Sequence, residues 1–96
     1  MPLNRAISSS PSQNAFLQSR IGELEGQGAS AFRVNQQQVD INGLRVGINR
    51  PDLQYTLNGQ RFYEEFETSS IGDAWAHMDR IIANDPSGQF IPWFVP

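Results

Sequence analysis

The sequence predicts a small single-domain α/β protein of the α+β kind, with two helices packed on a mixed sheet. Three observations lead there. An apolar stripe at helical spacing lies near the N-terminus, two Asn-Gly dipeptides sit among short strand-like runs, and an amphipathic helix is followed by a last apolar strand. Ninety-six residues make one domain and are too few for two.

Residues Met1 to Ser12 are rich in Ser, Pro and Asn and read as a flexible linker, leaving 13–96 as the domain. A helix follows, with Ser12 placed as its N-cap after Pro11. Its stripe is Phe16, Leu17, Ile21 and Leu24, and Gly26 and Gly28 end it. Strands are then expected at Phe32 to Val34, Val39 to Ile41, Leu44 to Ile48, Asp52 to Leu57 and Arg61 to Thr68. Asn42-Gly43 and Asn58-Gly59 join neighbouring strands, because a type I′ turn needs positive φ at both central residues. Pro51, which has no N–H to donate, marks a strand start or a bulge.

Ser70-Ile71-Gly72-Asp73 forms a capping box with Asp in the acidic place. The helix it opens carries Ile71, Ala74, Trp75, Met78, Ile81 and Ile82 on one face, so Trp75 is expected to be buried. Asn84-Asp85-Pro86 stops this helix, and a final strand, Gln89 to Val95, is broken at Pro92. A right-handed crossover through the second helix would set that strand parallel to Arg61–Thr68.

Composition removes several classes of protein. Cysteine is absent, so there is neither a disulfide nor a thiolate metal site. No apolar run approaches the roughly 18 residues of a membrane helix, and the first residues lack the apolar centre of a secretory signal. Membrane insertion is therefore not expected, and export would need a signal outside this chain. The net charge of −3 runs against the basic character of most nucleic-acid binders. Yet all seven basic residues are arginines, whose planar fork suits phosphate. Three of the ten acids, Glu64, Glu65 and Glu67, crowd one strand, which is costly unless a cation offsets them.

Strand alternation decides which of these acids meet. Asp52, Gln54 and Thr56 share one face, and Arg61, Tyr63, Glu65 and Glu67 share another, while Glu64 points with Phe62 and Phe66 to the apolar side. A turn at Asn58-Gly59 would align the two polar faces and bring Asp52, Glu65 and Glu67 together. Oxygen ligands of this kind suit Mg²⁺ or Mn²⁺, with Asp52 and Glu65 as ligands and Glu67 as a third. Arg61 on the same face, Arg50, His77 and Arg80 are candidates to grip a substrate phosphate; His77 has the alternative of an ordinary helix-boundary histidine. Glu23 could add a ligand from the first helix, although it and Glu25 are more simply read as solvated. Phe90, Trp93 and Phe94 read as core or partner-binding.

Pro51-Asp52, followed after twelve residues by Glu65-Phe66-Glu67, resembles the PD-(D/E)XK signature of restriction-endonuclease-like nucleases. The predicted order of helix, three strands, helix and strand is the αβββαβ core of that superfamily. The string Asn49-Arg50-Pro51-Asp52-Leu53-Gln54, with Arg61 to Glu67 and His77 to Pro86, is also similar to C-terminal toxin domains of Rhs-type and other polymorphic bacterial toxins. The likeness spans about Gly47 to Gln89. It implies a metal-dependent endonuclease with Asp52 and Glu65 on the ion, cutting DNA ahead of RNA. It further implies an effector delivered as part of a larger secreted toxin into the cytoplasm of a competing cell, with an immunity protein protecting the producer. One departure stands out: Glu67 occupies the lysine position, and no lysine exists elsewhere.

Two other readings use the same residues. Glu65-Phe66-Glu67 also matches the E-x-E of ADP-ribosylating toxins, although the Ser-rich strand of that class finds only Ser8-Ser9-Ser10 in the linker. A non-catalytic binding module with a degenerate nuclease fold agrees with the acidic charge and the missing lysine.

Overall fold

α1 (Pro11–Gly26) starts at a proline, which the first turn of a helix tolerates because its N–H has no partner there. Ser12 therefore lies inside the first turn instead of capping it. The computed structural model describes residues 11–67 and 71–94, the side chains of residues 12 and 71–74 excepted. Gly28, at φ +94°, closes α1: Ala29 N–H bonds Leu24 O at 3.0 Å and Gly28 N–H bonds Glu25 O at 3.1 Å.

The remaining elements are β1 (Ser30–Val34), β2 (Leu53–Leu57), β3 (Gln60–Glu67), α2 (Ile71–Asn84) and β4 (Gln89–Phe94). The chain is thus an α+β domain with one mixed four-stranded sheet in the order β1-β2-β3-β4. The first two pairings are antiparallel and β3–β4 is parallel, as the crossover through α2 requires. Among the described residues no helix is long and apolar enough to cross a membrane.

One helix lies on each face of the sheet. Leu17, Ile21 and Leu24 of α1 pack on Val34, Leu53, Tyr55 and Phe66, with Phe16 set edge-on to Phe66 at 5.3 Å. The expected α1 stripe is therefore the core. Asn58 and Gly59 take φ of 53° and 76°, so this turn is type I′ and fixes the register Leu57↔Gln60 through Leu53↔Glu64.

Several expectations are corrected. Residues 35–52 form a loop between β1 and β2, where two further strands were expected. A single bridge, Val39 with Arg45, survives there. Only Gly43 of the Asn42-Gly43 pair has positive φ. Asp40 explains this, because its Oδ1 accepts N–H from Asn42 at 2.9 Å and Leu44 at 3.0 Å and closes a different turn. β4 runs unbroken through Pro92, which pairs with Glu65 from an edge strand and needs no donor on its outer side. Trp75 is 46% exposed and not part of the core. The face of α2 turned inward holds Ile81, with His77 and Met78 half-buried, so the hydrophobic stripe is rotated partly into solvent. The proposed capping box rests on residues 70–73, which lie outside the described backbone or side chains.

The 35–52 loop is nonetheless pinned. Gln54, fully buried, receives Val39 N–H at 2.9 Å and donates to Gln36 O at 3.0 Å and Gln37 O at 3.2 Å. Buried Gln38 donates to Ile81 O at 3.0 Å and accepts from Asn84 Nδ2 at 3.2 Å. Gly47, at φ +77°, lets Asn84 lie against the loop backbone: a Cβ there would meet Asn84 Nδ2 at 2.2 Å. Gln54 thus does for this loop what a strand ladder does elsewhere, satisfying its buried backbone groups, while Gln38 ties the loop to α2.

Candidate functional site

The register that ends at Leu53↔Glu64 sets Asp52 beside Glu65, on the sheet face covered by α2. The two residues are cross-linked through each other's backbone. Asp52 N–H donates to Glu65 Oε2 at 2.8 Å, and Phe66 N–H donates to Asp52 Oδ2 at 2.8 Å. Both carboxyl groups are held well above the ordinary carboxylate range. Burial is the main cause for each, and for Asp52 the adjoining negative charge of Glu65 comes next. The pair therefore retains a proton at pH values where exposed acids have lost theirs.

α2 brings His77 to this pair. Its Nδ1 lies 2.8 Å from Glu65 Oε1 and 3.8 Å from Glu67 Oε1. This nitrogen is buried and makes no hydrogen bond among the described residues. A nitrogen and a carboxylate oxygen so close repel unless one carries a proton or both face a cation. Glu65, His77 and Arg80 line a cleft of about 90 Å³ with Asn49, Arg50 and Ile81. Five of the expected site residues (Asp52, Glu65, Glu67, His77 and Arg80) are therefore gathered here, and Arg50 joins them from the loop.

Two are not. Arg61 is buried, about 13 Å along the strand from Glu65 at strand rise, and its guanidinium is committed inside the protein. It donates to Ala31 O at 2.8 Å, Thr56 Oγ1 at 3.1 Å and Val39 O at 3.3 Å, and so ties β1 and the loop to the sheet. Its expected grip on phosphate is corrected to this structural task. Glu23 is exposed on α1, which covers the opposite face of the sheet, so it does not reach Asp52. Glu64 points to the α1 face as expected. Arg20 holds it with three contacts of 2.9 to 3.2 Å, and the Tyr55 hydroxyl and Trp93 Nε1 (2.8 Å) also donate to it. Asn49, which lines the cleft, and the pinning residues Gln38 and Gln54 went unnoticed in the sequence. For Gln38 the only signal is the run of polar residues from Asn35 to Gln38, which reads as a solvated loop, and for Gln54 its place on the same strand face as Asp52.

Asp52, Glu65, Glu67 and His77 supply three carboxylates and one imidazole. Among the described residues no three of these groups are arranged as a ready coordination shell. The reason is visible: Asp52 and Glu65 each spend an oxygen on a backbone N–H. Their other oxygens and Glu67 are oxygen donors of the type a hard divalent ion takes, and His77 adds an imidazole nitrogen beside them. No family model, curated protein or solved structure matches the chain.

Proposed function

We propose that this domain is a metal-dependent nuclease of the restriction-endonuclease-like kind, with Asp52 and Glu65 as its principal ligands for Mg²⁺ or Mn²⁺. The observation that carries the reading is the buried acid pair with the unpartnered His77 nitrogen against it. Such a group of like charges is held together at a cost, and a divalent cation removes that cost. The element and strand order, and the position of the pair where β2 begins, add support to the resemblance drawn from Pro51-Asp52 and Glu65-Phe66-Glu67.

A divalent ion held there supplies an activated water and charge neutralisation at a phosphodiester. The chain's own residues do the rest. Asp52 and Glu65 bind the ion, and Glu67 is a third candidate ligand. Arg50 and Arg80, at the walls of the cleft, orient the phosphate through their forked donors. His77 holds or passes a proton at Nδ1 beside Glu65. With Glu67 in the lysine position, His77 and Arg80 are the nearest groups to share its task. The resemblance further assigns the domain to a larger secreted toxin that cuts DNA in a competitor's cytoplasm and is blocked by an immunity protein.

Plasmid incubated with the protein and Mg²⁺ or Mn²⁺ is expected to be nicked, and a chelator, Asp52→Ala or Glu65→Ala should each abolish nicking. Cleavage that survives both substitutions refutes the assignment. A second reading, a degenerate nuclease fold that binds without cutting, is favoured by Glu67 in the lysine position and by the net charge of −3. Metal-independent binding with no cleavage of DNA or RNA would select it. No observation favours the ADP-ribosylating alternative.

A further inference from the structure

A cleft of about 490 Å³ is lined by Arg33, Gln36, Gln37, Arg45, Ile48 and Arg50, the last of which also lines the smaller cleft with Glu65. We infer that it is a track for the phosphate backbone of a polynucleotide, delivering the strand to the acid pair. Its end point rests on the nuclease reading, but its binding does not.

The chemistry is one-sided. Three guanidiniums, charged at every accessible pH, and two amides line the cleft, and no acid does. Between residues 33 and 52 the only acid before Asp52 is Asp40, whose Oδ1 is taken by backbone N–H groups. A volume of this size exceeds what a single phosphate needs and falls in the range of roughly 300 to 1,000 Å³ that holds larger ligands. Ile48 stands 88% exposed among the arginines and offers an apolar contact to a sugar or base, which a free phosphate would not use.

Part of the wall is held by hydrogen bonds within the protein. Arg33 Nε donates to Gln37 O at 3.1 Å, and Gln37 Nε2 donates to Gly47 O at 2.7 Å. With the buried Gln38 and Gln54 holding the same loop, the backbone that carries Arg45 and Arg50 is tied to the sheet and to α2. Arg50 also lines the smaller cleft with Glu65, His77 and Arg80, so the two spaces meet at this residue. A chain of phosphates running past Arg33 and Arg45 would arrive at the acids.

The test measures binding separately from cleavage. Fluorescein-labelled single-stranded DNA, RNA of the same sequence and the DNA duplex, each of about 20 nucleotides, are titrated in chelator by anisotropy at several salt concentrations. Arg33→Ala/Arg45→Ala is expected to weaken binding at least about tenfold at about 50 mM salt. It should also lower the slope of log affinity against log salt by about 1.4 for single strands or about 1.8 for the duplex. Arg45→Ala alone, whose side chain makes no hydrogen bond among the described residues, gives about half the slope change and guards against misfolding of the double variant. Unchanged affinity and slope in a folded variant overturn the track. Poly(glutamate) bound as tightly as the oligonucleotides overturns it in favour of an acidic protein. Oligonucleotide binding that needs both arginines, with no cleavage once Mg²⁺ or Mn²⁺ is added, leaves the track standing and removes the nuclease.

Discussion

Arg20→Met and Glu64→Gln test whether two adjacent glutamates in one strand have separate tasks. Glu64 has no exposed surface and is held by Arg20, Tyr55 and Trp93, with the Arg20 guanidinium 5.0 Å above the Trp93 ring. Removing Arg20 leaves a buried carboxylate without its countercharge, which costs about 3–5 kcal/mol. A 96-residue domain has roughly 5–14 kcal/mol in total at typical per-residue stability, so Arg20→Met removes a large fraction of it. Glu64→Gln costs less, because the amide oxygen still accepts from Arg20 and the arginine is partly solvated. Urea unfolding followed by tryptophan fluorescence reads both, since Trp93 sits at the pair. The midpoint should drop by more than about 1 M for Arg20→Met. Glu64→Gln, folded at low temperature, should keep its nicking activity, whereas Glu65→Gln should lose it with little loss of stability. A stability change under about 1 kcal/mol for Arg20→Met, or loss of nicking in folded Glu64→Gln, refutes the division.

Trp75→Asp should remain folded with a melting temperature within a few degrees of wild type, because nearly half of the ring is already in solvent; loss of the native far-ultraviolet spectrum contradicts the orientation of α2. In chelator, stability should fall as pH rises from about 5 to about 8. Asp52 and Glu65 bind protons more tightly folded than unfolded, so their contribution is complete below the ordinary carboxylate value of about 4 and is lost as pH climbs through the raised folded values. Asp52→Asn should flatten this slope, and a melting temperature that rises over that window would contradict the raised pair. Mn²⁺ should stabilise the wild type more at pH 8 than at pH 6, since it competes with the proton; equal shifts in Asp52→Ala and wild type count against the ligand assignment.

The acid pair was readable because two local rules propagate without error. A two-residue type I′ turn at Asn58-Gly59 fixes the pairing of residues 57 and 60, and counting outward by ones brings 52 to 65. Alternation then separates Glu64 from Glu65. The α1 stripe was readable for a similar reason, as its apolar spacing meets a complementary sheet face. The loop was not readable. Val39 to Ile41 and Leu44 to Ile48 have the composition of strands, but Val39 N–H and Leu44 N–H are taken by the side chains of Gln54 and Asp40, and Gln38 ties the loop to α2 through Ile81 O, a reach no local pattern encodes. The rotation of α2 was also hidden. Its apolar residues share one face, but the sheet beneath takes the side of that stripe holding Ile81, next to His77, and leaves Trp75 on the other side out.

The same tertiary detail explains why net charge misleads for this chain. Two of its seven arginines, Arg20 and Arg61, are spent inside the domain, one on Glu64 and the other on backbone carbonyls. That loss would appear to leave the surface still more acidic. Some acids, however, are withdrawn as well: Glu64 is neutralised by Arg20, and Asp52 and Glu65 favour holding a proton. What lines the clefts is Arg33, Arg45, Arg50 and Arg80, with Glu67 as the remaining acid beside His77. An approaching polyanion responds to charges within about a Debye length, roughly 8 Å at physiological salt, and not to a sum over the chain. A domain with a formal charge of −3 can therefore present a positive approach to its acid pair. Association with DNA should then slow steeply as salt rises, despite the acidic isoelectric point.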